Sequence, residues 1–111
     1  MSTQKVVQGE GKCPARWMLI GERPGQEEAS KGRPFVGKTG REQDGHFARN
    51  GMSRRDGWIT NVCPTYLPGN PAPTSEETEQ WKPYLEEQIR VVSHKFIIAV
   101  GNHAVQYFLG E

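Results

Sequence analysis

The eight residues Gly32-Arg33-Pro34-Phe35-Val36-Gly37-Lys38-Thr39 satisfy the pattern G-x-x-x-x-G-K-[ST] letter for letter. Taken literally, that spacing builds a phosphate cradle. Backbone amides wrap the phosphates, the lysine reaches them, and the threonine hydroxyl holds Mg²⁺. Such a cradle needs a buried strand directly upstream. Here Gln26 to Lys31 are polar and unlike a strand. Pro34 also removes an amide that the cradle would use, and no apolar strand ends in the aspartate that would hold the metal. The pattern therefore stands as an alternative, nucleotide binding, rather than as the leading function. Cys13 and Cys63 form no CxxC pair and no disulfide framework. His46 and His94 lack ligand spacing, and no metal site is expected.

Two longer stretches carry more chemistry. Gly21 to Gly37 and Pro64 to Pro73 are polar and rich in glycine and proline, and each follows a short apolar run. Gly21 and Gly25 let backbone amides approach a carbonyl oxygen without side-chain bulk, and Pro24 stiffens the turn between them. Loops that present amides in this way must be held at the ends of rigid elements.

Those elements are legible. Trp17-Met18-Leu19-Ile20, Trp58-Ile59-Thr60-Asn61-Val62 and Phe96-Ile97-Ile98-Ala99-Val100 are short, nearly continuous apolar runs. Runs of this kind suit parallel strands buried on both faces. Thr74 and Glu77 form a capping box that opens a helix running to about Val92. It carries Trp81, Leu85, Gln88, Ile89 and Val92 near one face, and Pro83 inside it predicts a kink or a later start. Weaker helices are predicted over 38–49 and 102–109. The alternation predicts an α/β fold, a three-layer α/β/α arrangement around a small, mainly parallel sheet. In such sheets ligands bind beyond the carboxyl ends of the strands, so both loops should line one cleft.

Composition sets bounds. The chain has 111 residues and a formal charge of +1, with 34% hydrophobic residues. That excludes a strongly basic nucleic-acid arm but leaves room for local patches. No apolar run is long enough to span a membrane, and the start, Met1-Ser-Thr-Gln-Lys-Val-Val, has no secretory core. The chain reads as cytoplasmic, with its thiols reduced. Residues 1–15 read as an N-terminal extension and 16–111 as the domain. With three strands and three helices, one sheet edge is left open. A truncated domain, or a partner chain covering that edge, is the expectation.

The ordered blocks Gly21-Glu22-Arg23-Pro24-Gly25, Gly32-Arg33-Pro34-Phe35-Val36-Gly37, Asn61-Val62, Pro68-Gly69-Asn70-Pro71-Ala72-Pro73-Thr74 and Ala99-Val100-Gly101-Asn102 resemble the uracil-DNA glycosylase superfamily, most closely its family 4 type. The resemblance runs from about Trp17 to Gly110. It implies hydrolysis of the N-glycosidic bond of deoxyuridine in DNA, with the base flipped out of the stack, as the first step of base excision repair. By this resemblance the Gly21–Gly25 turn, with Arg23 in it, contacts uracil O2. Phe35 stacks on the base and Asn61 reads its edge, a side-chain amide being able both to accept from N3–H and to donate to O4. Glu22 positions or activates water, and Glu28 crowds C5 against a thymine methyl. Pro68, Gly69 and Asn70 press on the DNA backbone. Arg16, Lys31, Arg33, Lys38 and Arg41 are candidates for phosphate contacts.

The resemblance is incomplete in three places. Family 4 enzymes hold an iron–sulfur cluster on four cysteines, whose third and fourth positions fall on Thr65 and Trp81 here, with Cys63 two residues early. No cofactor is therefore expected. A His-Pro-Ser-like loop after a fourth strand has no counterpart in this sequence, and His103 does not match it. Arg23 occupies a position that is usually small. A catalytically impaired DNA- or partner-binding module with the same cleft is the second expectation.

Overall fold

The computed structural model describes residues 5–92 and 96–109; the side chains of Lys5, Thr39, Asn102, His103 and Leu109 lie outside the described set, as does the whole of His94. In chain order the elements are β1 (Lys5–Val6), β2 (Glu10–Gly11), β3 (Trp17–Gly21), α1 (Gln26–Lys31), α2 (Lys38–Arg49), a 3-10 turn (Arg54–Asp56), β4 (Gly57–Asn61), β5 (Thr65–Tyr66), α3 (Ser75–Val92), β6 (Phe96–Ala99) and α4 (Asn102–Leu109).

The four-stranded sheet has the order β2-β4-β3-β6. β3 runs parallel to both β4 and β6, and β2 lies antiparallel to β4. All five residues of β3 are buried, as a strand flanked on both edges and both faces requires. Alternation along β3 divides the core. Met18 and Ile20 pack with Val62, Leu85, Val92 and Ala104 beneath α3 and α4. Trp17 and Leu19 pack with Ile59 and with Phe47 of α2 on the opposite face. Helices thus cover both faces of the sheet, giving the α/β fold expected from the strand–helix alternation.

Thr74 and Glu77 make the capping box. Thr74 Oγ1 accepts from the Glu77 amide, and the Glu77 carboxylate accepts from the Thr74 amide, both at 3.1 Å. The helix neither starts late nor breaks at Pro83. It runs unbroken from Ser75 to Val92, and Pro83 is exposed, where water can satisfy the carbonyl it leaves without a donor. The stretch Gly21 to Gly37 is not all loop, since it contains the short helix α1. Residues 5–15 lie against the body of the fold: β1 pairs with β5, β2 joins the sheet, and Val7 and Ala15 are buried. Among the described residues β6 pairs on one side only, and Phe96 on it is 48% exposed.

The register places the site. Gly21, the last residue of β3, lies opposite Asn61, the last residue of β4. Ala99, the last residue of β6, lies opposite Ile20. Three carboxyl ends therefore open on the same side of the sheet.

Candidate functional site

A cavity of about 490 Å³ sits at these strand ends. Its walls come from the 21–28 segment, Phe35, Gly37 and Lys38 with Gly40, then Asn61, Asn70, and Val100 with Gly101. The structure thus brings Gly21, Glu22, Arg23, Gly25, Glu28, Phe35, Asn61 and Asn70 to one cavity. Pro68 and Gly69 stand outside it, exposed at the tip of the neighbouring loop. There the Asn70 amide donates to Leu67 O at 3.0 Å, and Gly69 has φ 82°. That is the Pro-Gly pair of a type II turn.

The cavity floor is set by close approach. A Cβ on Gly21 would stand 2.5 Å from Phe35 Cζ and 2.7 Å from Asn61 Oδ1. Only glycine leaves that space open. Asn61 is 2% exposed, and among the described residues its side-chain amide has no hydrogen-bond partner, which leaves it to meet a ligand in the cavity. From within the 21–25 turn, the Glu22 carboxylate lies against Gly101, where a Cβ would collide with it. Gly101 has φ 95°, a conformation glycine adopts without strain.

Phe35 is held in an unusual backbone conformation, with φ 53°. For a non-glycine residue that costs on the order of 1–3 kcal/mol and persists only where neighbours impose it. Three neighbours do so. Arg54 Nη1 donates to Phe35 O at 2.6 Å, and Arg54 Nη2 donates to Pro34 O. Gly40, in the first turn of α2, lies so close to Phe35 O that a Cβ would overlap it. Glu28 supplies the third restraint. Its Oε2 accepts from the amides of Val36 at 3.0 Å and Gly37 at 2.6 Å, and its Oε1 from Gly25 at 3.1 Å. The Glu28 carboxylate therefore ties the 21–25 turn to the Phe35 loop. The same bonds take up two amides that a phosphate cradle over Gly32–Thr39 would need, and a helix, not a strand, precedes that segment.

Arg23 borders the cavity with its stem, but its guanidinium turns inward, with its side chain 2% exposed against Glu77. The Glu77 carboxyl is held below the usual carboxylate range, first by the hydrogen bond from Arg23 and next by that from the Thr74 amide. Among the basic residues considered for phosphate contacts, Lys38 lines the cavity. Arg33 is bound to Glu10, 2.7 Å away, and Arg41 lies 3.6 Å from Glu27.

The residues fit no four-thiolate cluster. Thr65 and Trp81 carry no thiol. Cys63 is buried with its Sγ 3.2 Å from Thr65 Oγ1, and Cys13 is exposed with its Sγ directed to Val91 O. Among the described residues no group of three or more His, Cys, Asp or Glu side chains is placed to hold a metal ion. Nor, among the described residues, is any helix long and apolar enough to cross a membrane.

Arg54 and Gly40 had no signature in the sequence. Ser53-Arg54-Arg55-Asp56 reads as a solvated charge run, and the contact that gives Arg54 its role spans 19 positions.

Residues 8–111 match the family model described as the uracil DNA glycosylase superfamily. The chain is 36% identical to a type-4 uracil-DNA glycosylase of Thermotoga maritima over 98% of its length and 57% of the relative's. It is 41% identical to one from Pyrobaculum aerophilum over 88% of its length and half of the relative's. A third, from Archaeoglobus fulgidus, is 38% identical over 91% of this chain and 51% of the relative. The chain thus spans about half the length of these relatives.

Proposed function

Because the chain belongs to the uracil DNA glycosylase superfamily, we propose that it acts on uracil in DNA, enclosing the flipped base in the strand-end cavity and hydrolysing its N-glycosidic bond. The observation that carries this reading is the convergence of Phe35 and Asn61 on Gly21, where an added Cβ would stand 2.5 and 2.7 Å from them. It puts an aromatic ring, a side-chain amide without a hydrogen-bond partner among the described residues and a bulk-free turn around one small volume.

Each part has a task. Phe35 stacks on the base, worth roughly 1–3 kcal/mol. Asn61 accepts from uracil N3–H and donates to O4, a pairing that cytosine partly reverses. As the C1′–N1 bond breaks, its electron pair moves into the ring and toward O2, where backbone donors of the Gly21–Gly25 turn stabilise the growing charge. Fixed donors of that kind contribute about 3–4 kcal/mol each in other enzymes. Glu22 faces the cationic sugar and orients water, whose oxygen bonds to C1′ while its proton leaves through the carboxylate. The uracil anion takes a proton from solvent, and an abasic site remains. Pro68, Gly69 and Asn70 press on the DNA backbone beside the cavity.

In this proposal no iron–sulfur cluster takes part, which the absence of thiols at Thr65 and Trp81 supports. Because the chain spans about half of its relatives, a second reading keeps the cavity and its base preference without turnover. Release of free uracil from single- and double-stranded oligonucleotides separates the two. The first reading expects uracil release that disappears in Glu22→Gln. A folded chain that prefers uracil strands but releases no base supports the second. Equal affinity for uracil and thymine strands, with no release, defeats both.

A further inference from the structure

We propose that Arg23 is a positioning residue: its buried guanidinium clamps the base-binding turn to the Pro64–Thr74 segment and so sets the spacing between the two walls of the cavity. The clamp rests on the reading of this cavity as a uracil site, but its geometry stands apart from it.

The guanidinium makes four contacts to three separate pieces of chain. Nη1 donates to Thr65 O at 2.9 Å and to Thr65 Oγ1 at 3.2 Å. Nε donates to Pro71 O at 2.9 Å. Nη2 meets Glu77 Oε1 at 2.6 Å. Thr65 belongs to β5, Pro71 to the loop that carries the exposed Pro68-Gly69 tip, and Glu77 to the first turn of α3. Glu77 is itself fixed, because the same carboxylate oxygen accepts from the amide and the hydroxyl of Thr74. The ion pair is thus anchored to the start of an 18-residue helix.

On the cavity side, Arg23 directly follows Glu22, and Pro71 directly follows Asn70. Glu22 and Asn70 line the cavity from different segments. One planar side chain therefore bridges the backbone beside the carboxylate that faces the sugar and the backbone beside the loop that faces DNA. Its donors are arranged in a fixed fork, so the bridge has one length and one orientation. A lysine at this position would keep the charge but not the fork. A neutral side chain would leave the part-buried Glu77 carboxylate, 4.0 Å from Cys63 Sγ, without its cation. Arg23 acts through these neighbours, not on substrate.

The test compares wild type with Arg23→Lys, Arg23→Met and Glu77→Gln, each at a temperature where circular dichroism shows it folded. Uracil release is measured from a duplex oligonucleotide and from the same strand alone. Extracting a base from a duplex depends on loop pressure against the backbone more than does binding an unpaired base. Arg23→Lys is therefore expected to lose on the order of tenfold more rate on duplex than on single strand, as a misplacement near 1 Å would cause. Glu77→Gln, which keeps an acceptor for Nη2, is expected to retain more of the duplex rate than Arg23→Met. Amide hydrogen exchange, read in the same proteins without DNA, is expected to quicken in residues 65–74 and 21–25 of Arg23→Met and Arg23→Lys and to stay unchanged in α2. Equal losses on both substrates, or wild-type exchange in 65–74 in a folded Arg23→Lys, overturn the clamp. If wild type releases no uracil, the glycosylase assignment fails, and the exchange pattern alone upholds or overturns the clamp. If Arg23→Met does not fold, Arg23→Lys and Glu77→Gln carry the comparison.

Discussion

The smallest side chain in the cavity is the one with the least freedom to change. At Gly21 the added methyl of alanine would enter the space between Phe35 and Asn61, at 2.5 and 2.7 Å. Both neighbours are restrained, Asn61 by burial at the end of β4 and Phe35 by Arg54, Gly40 and Glu28. The methyl therefore has to push Phe35 or Asn61, and with it a wall of the cavity, out of place. Gly21→Ala is expected to cost about 1–3 kcal/mol of stability, as overpacking does, yet to lower uracil release at least about 100-fold. Urea unfolding and single-turnover excision measure the two effects separately. A rate loss no larger than the stability loss accounts for would mean that the cavity floor lies elsewhere. Gly21 and Asn61 were legible because each closes a readable strand, and Phe35 because it sits in a short glycine-bounded block. Arg54 and the inward turn of Arg23 were not. A charged residue in a polar stretch carries no mark of the carbonyl it will meet 19 or 48 positions away.

At the scale of elements, α2 shows how a site overrides helix propensity. The helix holds two interior glycines. Gly45 has open space around it, the nearest atom to an added Cβ being Arg49 Nη1 at 3.7 Å, whereas a Cβ on Gly40 would overlap the Phe35 backbone. Helix propensity favours alanine over glycine by about 1 kcal/mol at either position. Gly45→Ala is therefore expected to stabilise the fold by about 0.5–1 kcal/mol, seen as a higher urea midpoint with unchanged excision. Gly40→Ala is expected to destabilise it despite the same propensity gain, and to reduce excision by shifting Phe35. If both substitutions stabilise, α2 does not carry the platform. The three apolar strands and α3 were readable from periodicity and the Thr74–Glu77 box. The two-residue strands β1, β2 and β5 are too short to carry a period. α1 buries only Ala29, so five polar residues and one alanine between glycines gave no amphipathic signal.

At the scale of the whole molecule, the Arg23–Glu77 pair couples stability to pH. Glu77 ionises more readily in the folded chain than its ordinary value of 4.5, chiefly because Arg23 donates to it. Its contribution is complete above that value and is lost as pH falls through the lower, folded value. Among the described residues, Cys63 also faces Glu77, its Sγ 4.0 Å from Oε2. The thermal midpoint of wild type is expected to fall more steeply below pH 4.5 than that of Glu77→Gln, with the two curves converging in acid. Parallel curves would show that the pair adds nothing to the fold. The layered α/β architecture and the meeting of both glycine-proline loops at the strand ends followed from the order of apolar runs, because parallel connections leave few arrangements open.

The most direct measurement is the equilibrium affinity of the chain for a single-stranded oligonucleotide carrying one 2′-fluoro-2′-deoxyuridine, whose fluorine disfavours a cationic sugar and so slows cleavage. It is set against the same strand bearing 2′-fluoro-2′-deoxycytidine, whose edge reverses part of the pattern that Asn61 reads. Wild type is expected to bind the uracil strand roughly tenfold or more tightly, the scale of one stacked and hydrogen-bonded base, and Phe35→Ala and Asn61→Ala are each expected to remove most of that preference. Equal affinity of wild type for the two strands, or a preference that survives both substitutions, would contradict the account.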